Sequence, residues 1–186
     1  MRVIPSRDSS PQKPSAGMIM TLSPEFSSYG LNIAGQAAAS AAWVSANDPI
    51  AVPFRLPFGC VVTALGWFNG SAAGEGVDVG IYTEAFTRLV STGAQTGAGN
   101  LVWQFIDVAD TALAPGRYYL VQSRDNVTAN RNVVVGALAS VALLAATGCF
   151  DSATNAYPLP DPLTNMATAA TFTRVPVMGM QTRVVF

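Results

Sequence analysis

Histidine is absent from this chain of 186 residues. That removes the commonest general base, the serine–histidine triads and most zinc sites. Charge is scarce as well: Asp, Glu, Lys and Arg make up 11% of residues, against about a quarter in ordinary globular domains. Ten basic and eleven acidic residues nearly cancel, and no run of Lys or Arg forms a footprint for nucleic acid. Cysteine is limited to Cys60 and Cys149, with no CxxC spacing and apolar or aromatic neighbours in "FGCVV" and "TGCF". Both read as buried free thiols of a chain made in a reducing cytoplasm. No GxSxG elbow occurs, and the glycines of "GAQTGAGN" have no lysine after them, so neither a serine hydrolase nor a phosphate loop is indicated.

Long apolar runs are nearly missing too. The N-terminal "MRVIPSRDSSPQKPSAG" has basic residues but no apolar core of signal-peptide length. Without such a signal, the acceptor patterns at Asn69 and Asn126 read as chance matches. The uncharged stretch from Asn132 to Phe150 reaches membrane-span length, but it is rich in Ala and interrupted by Gly136 and Gly148. It reads better as a buried strand, Val133 to Val135, followed by a short helix or loop, so no membrane span is expected.

What the chain does have is apolar and small residues: half of it is hydrophobic and sixteen residues are glycine. This is enough to bury one core without metals or cross-links, and it argues against disorder. Residues 1–28 stand apart as an extended arm rich in Ser and Pro, with Pro5, Pro11, Pro14 and Pro24. Within the arm, Met18, Ile19 and Met20 form an apolar patch suited to meeting a partner. Residues 29–186 form the second unit, a single domain.

From residue 52 onward the pattern is β. "CVVTALGWF" is apolar on both faces, with Val61, Thr63, Leu65 and Trp67 on one and Cys60, Val62, Ala64 and Phe68 on the other. "VDVGIY" alternates, placing Val77, Val79 and Ile81 inward and Asp78 and Gly80 outward. "TRLVST" and "LVWQFID" follow, the latter with Leu101, Trp103 and Phe105 on one side. In "LAPGRYYLV", Pro115 and Gly116 turn the chain into a strand whose two tyrosines face opposite ways. One tyrosine is expected in the core, and the other, Tyr119, outward or against a partner. Pro176 marks an edge strand or a strand start. Short strands between Gly-rich turns predict an all-β, antiparallel, jelly-roll-like β-sandwich.

Candidate chemistry is sparse. Asp107 and Asp110 lie close in sequence and could serve as paired carboxylates or calcium ligands, but they flank a strand end where turn stabilisation is the plainer role. Trp67 and Trp103 follow strand alternation into the core. Trp43, in an Ala-rich segment, is the least constrained aromatic and, with Tyr119, the candidate for stacking on a sugar.

"VDVGIYTEAFTRLVSTGAQT", "LVWQFIDVADTALAPGRYYLV" and "YPLPDPLT" together resemble the jelly-roll modules of tailed-bacteriophage virion proteins, over residues 52–165. The resemblance implies a non-enzymatic structural component of the tail or neck, located in the virion and made in the host cytoplasm. A capsid decoration protein is the alternative placement. It implies other virion subunits as partners and a homo-oligomer, with trimers common among fibres, and it carries over no catalytic residue, cofactor or metal. A carbohydrate-binding module that contacts a host surface glycan through Trp43 or Tyr119 is the competing class. A glycoside-acting enzyme using Asp107 and Asp110 is a third.

Overall fold

The computed structural model describes residues 16–20, 38–43, 45–128, 130–135, 150–152, 155–168 and 174–184. Among them every regular element is a strand and every pairing is antiparallel. The fold is the expected all-β sandwich. No helix there is long and apolar enough to cross a membrane.

One sheet contains β1 (Ala16–Met20), β14 (Met178–Val184), β4 (Cys60–Phe68) and β8 (Trp103–Leu113), in that order. The opposing sheet runs β12 (Met166–Thr168), β11 (Phe150–Ser152), β3 (Ile50–Leu56), β9 (Gly116–Arg124), β5 (Gly76–Tyr82) and β6 (Arg88–Ser91), and the short β7 (Gln95–Thr96) also pairs with β5. A small third sheet joins β13 (Arg174–Pro176), β10 (Asn130–Val135) and β2 (Ala38–Ala42). Pro176 closes the edge strand β13, where its missing N–H costs no ladder bond.

The main core lies between the two large sheets. Val77, Val79 and Ile81 of β5 meet Ile50, Val52, Phe54 and Leu56 of β3 on one side and Val62, Leu65, Trp67, Met178 and Met180 on the other. The β5 alternation thus reads correctly from the sequence. That of β4 does not: Cys60, Val62, Leu65 and Trp67 all enter the same core, although strict alternation divides them between two faces. A bulge at Thr63 is the reason. Val62 faces Thr111 and Ala64 faces Asp107, so Val108, Ala109 and Asp110 bow out opposite Thr63 alone. The pairing with β14 shifts at the same place. The extra residue resets the phase, so apolar positions on either side of it point inward. Cys60 is a buried free thiol, as expected, and burial pushes its pKa up. Cys149 lies outside the described residues.

Part of the N-terminal arm is ordered. Met18 lies opposite Gln181, Ile19 opposite Met180 and Met20 opposite Gly179, so this apolar patch forms an edge strand on the chain's own β14. The rest of residues 1–28 lies outside the described set.

Candidate functional site

The outward face of β5 is not solvated. Asp78, Gly80 and Tyr82 alternate with the core residues, as the strand requires, yet all three are buried. The expectation that Asp78 and Gly80 face solvent is therefore corrected: a segment some eighty residues later in the chain, Ala156 to Leu163, lies over them. Each of the three makes its own contact with that segment. The Leu159 N–H donates to Asp78 Oδ2 at 2.9 Å. The Leu159 side chain reaches Gly80, where an added Cβ would meet its Cδ1 at 3.2 Å. The Tyr82 hydroxyl donates to Pro160 O at 2.6 Å. From β6, Arg88 Nη1 donates to Leu159 O at 2.6 Å and the Arg88 N–H to Asp161 Oδ1 at 2.9 Å. The Leu163 and Ala156 N–H groups donate to the backbone carbonyls of Phe86 and Asn47 at 2.9 and 2.7 Å. The peptide bonds Tyr157–Pro158 and Asp161–Pro162 are cis.

Beneath this segment lies a second apolar cluster of Ala51, Tyr82, Tyr119, Val121, Ala156, Leu159 and Leu163.

 Asp78 also accepts from the Thr92 hydroxyl at 3.1 Å, and Thr92 Oγ1 in turn accepts from the Val79 N–H at 3.0 Å. Burial raises the Asp78 carboxyl above its ordinary range, and the bonds from Leu159 and Thr92, with the charge of Arg88, only partly offset this. Burial likewise raises the Tyr82 hydroxyl. Two of the three stretches quoted above for the family resemblance thus form one unit: in the first, "VDVGIY" offers the seat and "TRLVST" the arginine, and "YPLPDPLT" is the clasped loop.

A second buried polar group sits where β5 begins and β9 ends. Arg124 and Glu75 are almost wholly enclosed and form an ion pair at 3.5 Å. The guanidinium lies over the Trp43 ring at 5.8 Å. Burial lowers the Arg124 pKa, and the Glu75 charge and hydrogen bond oppose that shift.

The two aromatics expected to present a stacking face are placed otherwise. Trp43 is 3% exposed, and its indole N–H donates to Asp48 O at 2.8 Å. Tyr119 is 4% exposed, stacked on Phe86 at 4.9 Å with the Arg117 guanidinium 5.5 Å from its ring centre. The physical reason is the same for both: each has a cover that its local sequence does not announce, the Arg124 side chain for Trp43 and the loop cluster for Tyr119. Tyr118 takes the core side, tilted against Phe54, and its hydroxyl donates to Ala114 O at 3.0 Å. Met18, Ile19 and Met20 stay apart from all of these, on β1 in the other sheet.

Asp107 and Asp110 are both exposed on β8, Asp107 just before the bulge and Asp110 within it, and Asp110 accepts from Arg183 at 2.7 Å. No group of three or more metal-ligating side chains occurs among the described residues. A half-buried aromatic row joins β4 and β8: Trp103 is stacked on Phe105 at 5.2 Å and Phe68 is edge-on to Trp103 at 5.6 Å, and both Phe68 and Trp103 pack against the main core. Phe105 lies over Gly66, where a Cβ would strike its ring at 2.5 Å.

No family model matches the chain, and no curated protein does. Among solved structures it is similar to the VP2 subviral particle of infectious bursal disease virus, at 12% identity and a TM-score of 0.34, over 98% of this chain and 46% of that one. A mutant VP2 of the same virus in derived T=1 particles matches at 12% identity and a TM-score of 0.32, over 98% and 45%. The T13 particle of that virus matches at 11% identity and a TM-score of 0.31, over 98% and 44%. The chain spans less than half the length of each of these proteins.

Proposed function

We propose that this chain is a non-enzymatic structural protein of a bacteriophage particle, a β-sandwich module assembled on the tail or neck. The observation that carries the reading is the clasped loop. Asp78, Tyr82 and Arg88, three polar side chains of β5 and β6, are each bonded to the main chain of Leu159 or Pro160. Such an arrangement supplies a rigid third layer, a property suited to a part that transmits load between subunits. The same motifs carry the resemblance to tailed-phage modules, which supports the placement. Partners are other virion subunits and further copies of the chain, and no cofactor is required.

Immunogold labelling of purified particles, with antibody raised against the domain, tests the proposal. Gold on the tail or neck is the expected result. Gold spread over the shell makes the chain a capsid decoration protein instead. Unlabelled particles beside free protein in the lysate would overturn the virion assignment and favour binding to a host glycan.

A further inference from the structure

Most of the exposed charges of the described residues have partners within the chain. Among the described residues, Glu84 pairs with Arg117, Asp110 with Arg183, Asp161 accepts from the Arg88 N–H, and Asp125 from the Gly76 N–H. Two exposed charges remain without a partner among those residues, Arg55 and Asp107. They are of opposite sign; Arg55 lies three residues before exposed Phe58, and Asp107 lies next to half-buried aromatic and aliphatic side chains of β8.

Arg55 projects from β3 directly across from Arg117 on β9. Like charges set opposite each other on a sheet repel, and Arg117 is engaged at 3.6 Å with Glu84. Three residues on, the turn after β3 presents Phe58, 48% exposed and preceded by exposed Pro57. Proline fixes the backbone there, so ordering this aromatic against a partner costs little entropy.

Asp107 lies on β8 at the foot of the aromatic row. Strand alternation places it with Trp103 and Phe105, on the side of β8 opposite Ile106 and Val108. The row continues into Leu101 and Val102, 57% and 44% exposed, and Leu101 holds a positive φ of 55°. Such a backbone costs about 1 kcal/mol or more in a non-glycine residue, so it points to a constraint beyond local preference. The bulge at Val108 to Asp110 interrupts the edge of β8, so its open backbone is a poor template for strand addition. Side chains must then carry any contact made here.

We infer that copies of this chain dock head to tail, the Arg55–Phe58 tip of one copy seating on the Asp107 end of the aromatic row of the next. The inference rests on the assembly role proposed above. The two patches belong to opposite sheets, so the contact is heterologous. It closes into a ring of three or more copies or continues as an open array. Complementary charge sets the register, and the rings supply the buried area.

Reciprocal charge reversal tests this with the full chain. Sedimentation velocity of the unmodified protein is expected to show concentration-dependent association. Arg55→Glu and Asp107→Arg should each weaken it about tenfold or more, the range of a lost interfacial charge pair. The double reversal should restore it to within about threefold. Circular dichroism and melting curves confirm that each variant is folded. If a reversal disturbs folding, the milder Arg55→Gln and Asp107→Asn are compared, and each must still weaken association. A chain that stays monomeric at millimolar concentration, single variants that associate like wild type, or a double reversal without rescue would each overturn the contact. Gold labelling reads the virion role independently, so labelled particles with a monomeric chain would sink this contact alone.

Discussion

Replacing Asp78 separates the two things its carboxylate does. In Asp78→Ala the Leu159 N–H stays under the loop with no acceptor, while Thr92 retains Gly93 O, 3.0 Å from its hydroxyl. A buried donor left unanswered costs about 1–3 kcal/mol. Taking about 2 kcal/mol, the melting temperature of a domain this size should fall by about 4–8 °C. Asp78→Asn should behave differently. Its carbonyl can still accept from Leu159, and its amide can donate to Thr92 Oγ1, freeing that hydroxyl for Gly93 O. The loss should stay under about 1 kcal/mol. pH adds a second reading. The folded carboxyl titrates above its ordinary value of 3.8, so the folded state binds the proton more tightly than the unfolded chain. Its contribution to stability is therefore fullest below the unfolded pKa and declines as pH rises through the folded one. Between pH 3 and pH 7 the difference in melting temperature should move in favour of the Asn variant, because Asn has no charge to bury. Scanning calorimetry across that range, with hydrogen exchange of the Leu159 amide as a report on the loop, checks both claims. Equal losses in the Ala and Asn variants, or an Ala variant within about 0.5 kcal/mol of wild type, would refute the clasp; the latter bound is the scatter of ordinary surface changes.

The buried Arg124–Glu75 pair should respond asymmetrically. Glu75→Leu alone leaves a buried guanidinium and should cost about 3–5 kcal/mol, whereas Arg124→Met combined with Glu75→Leu should recover most of that loss. Urea denaturation of the two variants decides it, and additive losses would show that the ion pair does not act as a unit. Cys60 should be inert to a disulfide reagent at pH 8 in a Cys149→Ser chain until denaturant is added, because burial both shields the thiol and raises its pKa. Reaction of the folded chain at the rate of a free thiol would contradict the core placement.

Much of the sandwich is legible in the sequence because its strands obey local rules. Val77, Val79 and Ile81 alternate without interruption, and Pro115 and Gly116 mark the entry to β9. What fails to show is any feature set by a partner distant in the chain. Asp78 and Gly80 read as solvent-facing because their cover, Leu159, lies about eighty residues downstream. Trp43 and Tyr119 read as candidates for exposure for the same reason. The bulge at Thr63 is invisible in a stretch apolar on both faces, since neither phase of the alternation looks wrong. One signal was available. Leu159 and Leu163 are the only leucines in a proline-rich loop, and apolar residues spaced through such a segment need somewhere to be buried.

The scarcity of charge then acquires a physical meaning. Asp78, Glu75 and Arg124 are placed inside, at points where a distant segment or a neighbouring strand must be held in one arrangement. A buried polar contact of this kind adds little net stability but penalises every alternative in which its partner is missing. Among the described residues Glu84 pairs with Arg117 and Arg183 with Asp110, and the net charge of -1 leaves weak long-range repulsion between copies. A chain built this way relies on polar groups to specify its own layers and leaves few of them free to react. That division of labour fits the assembly role proposed above, in which the module packs among other subunits.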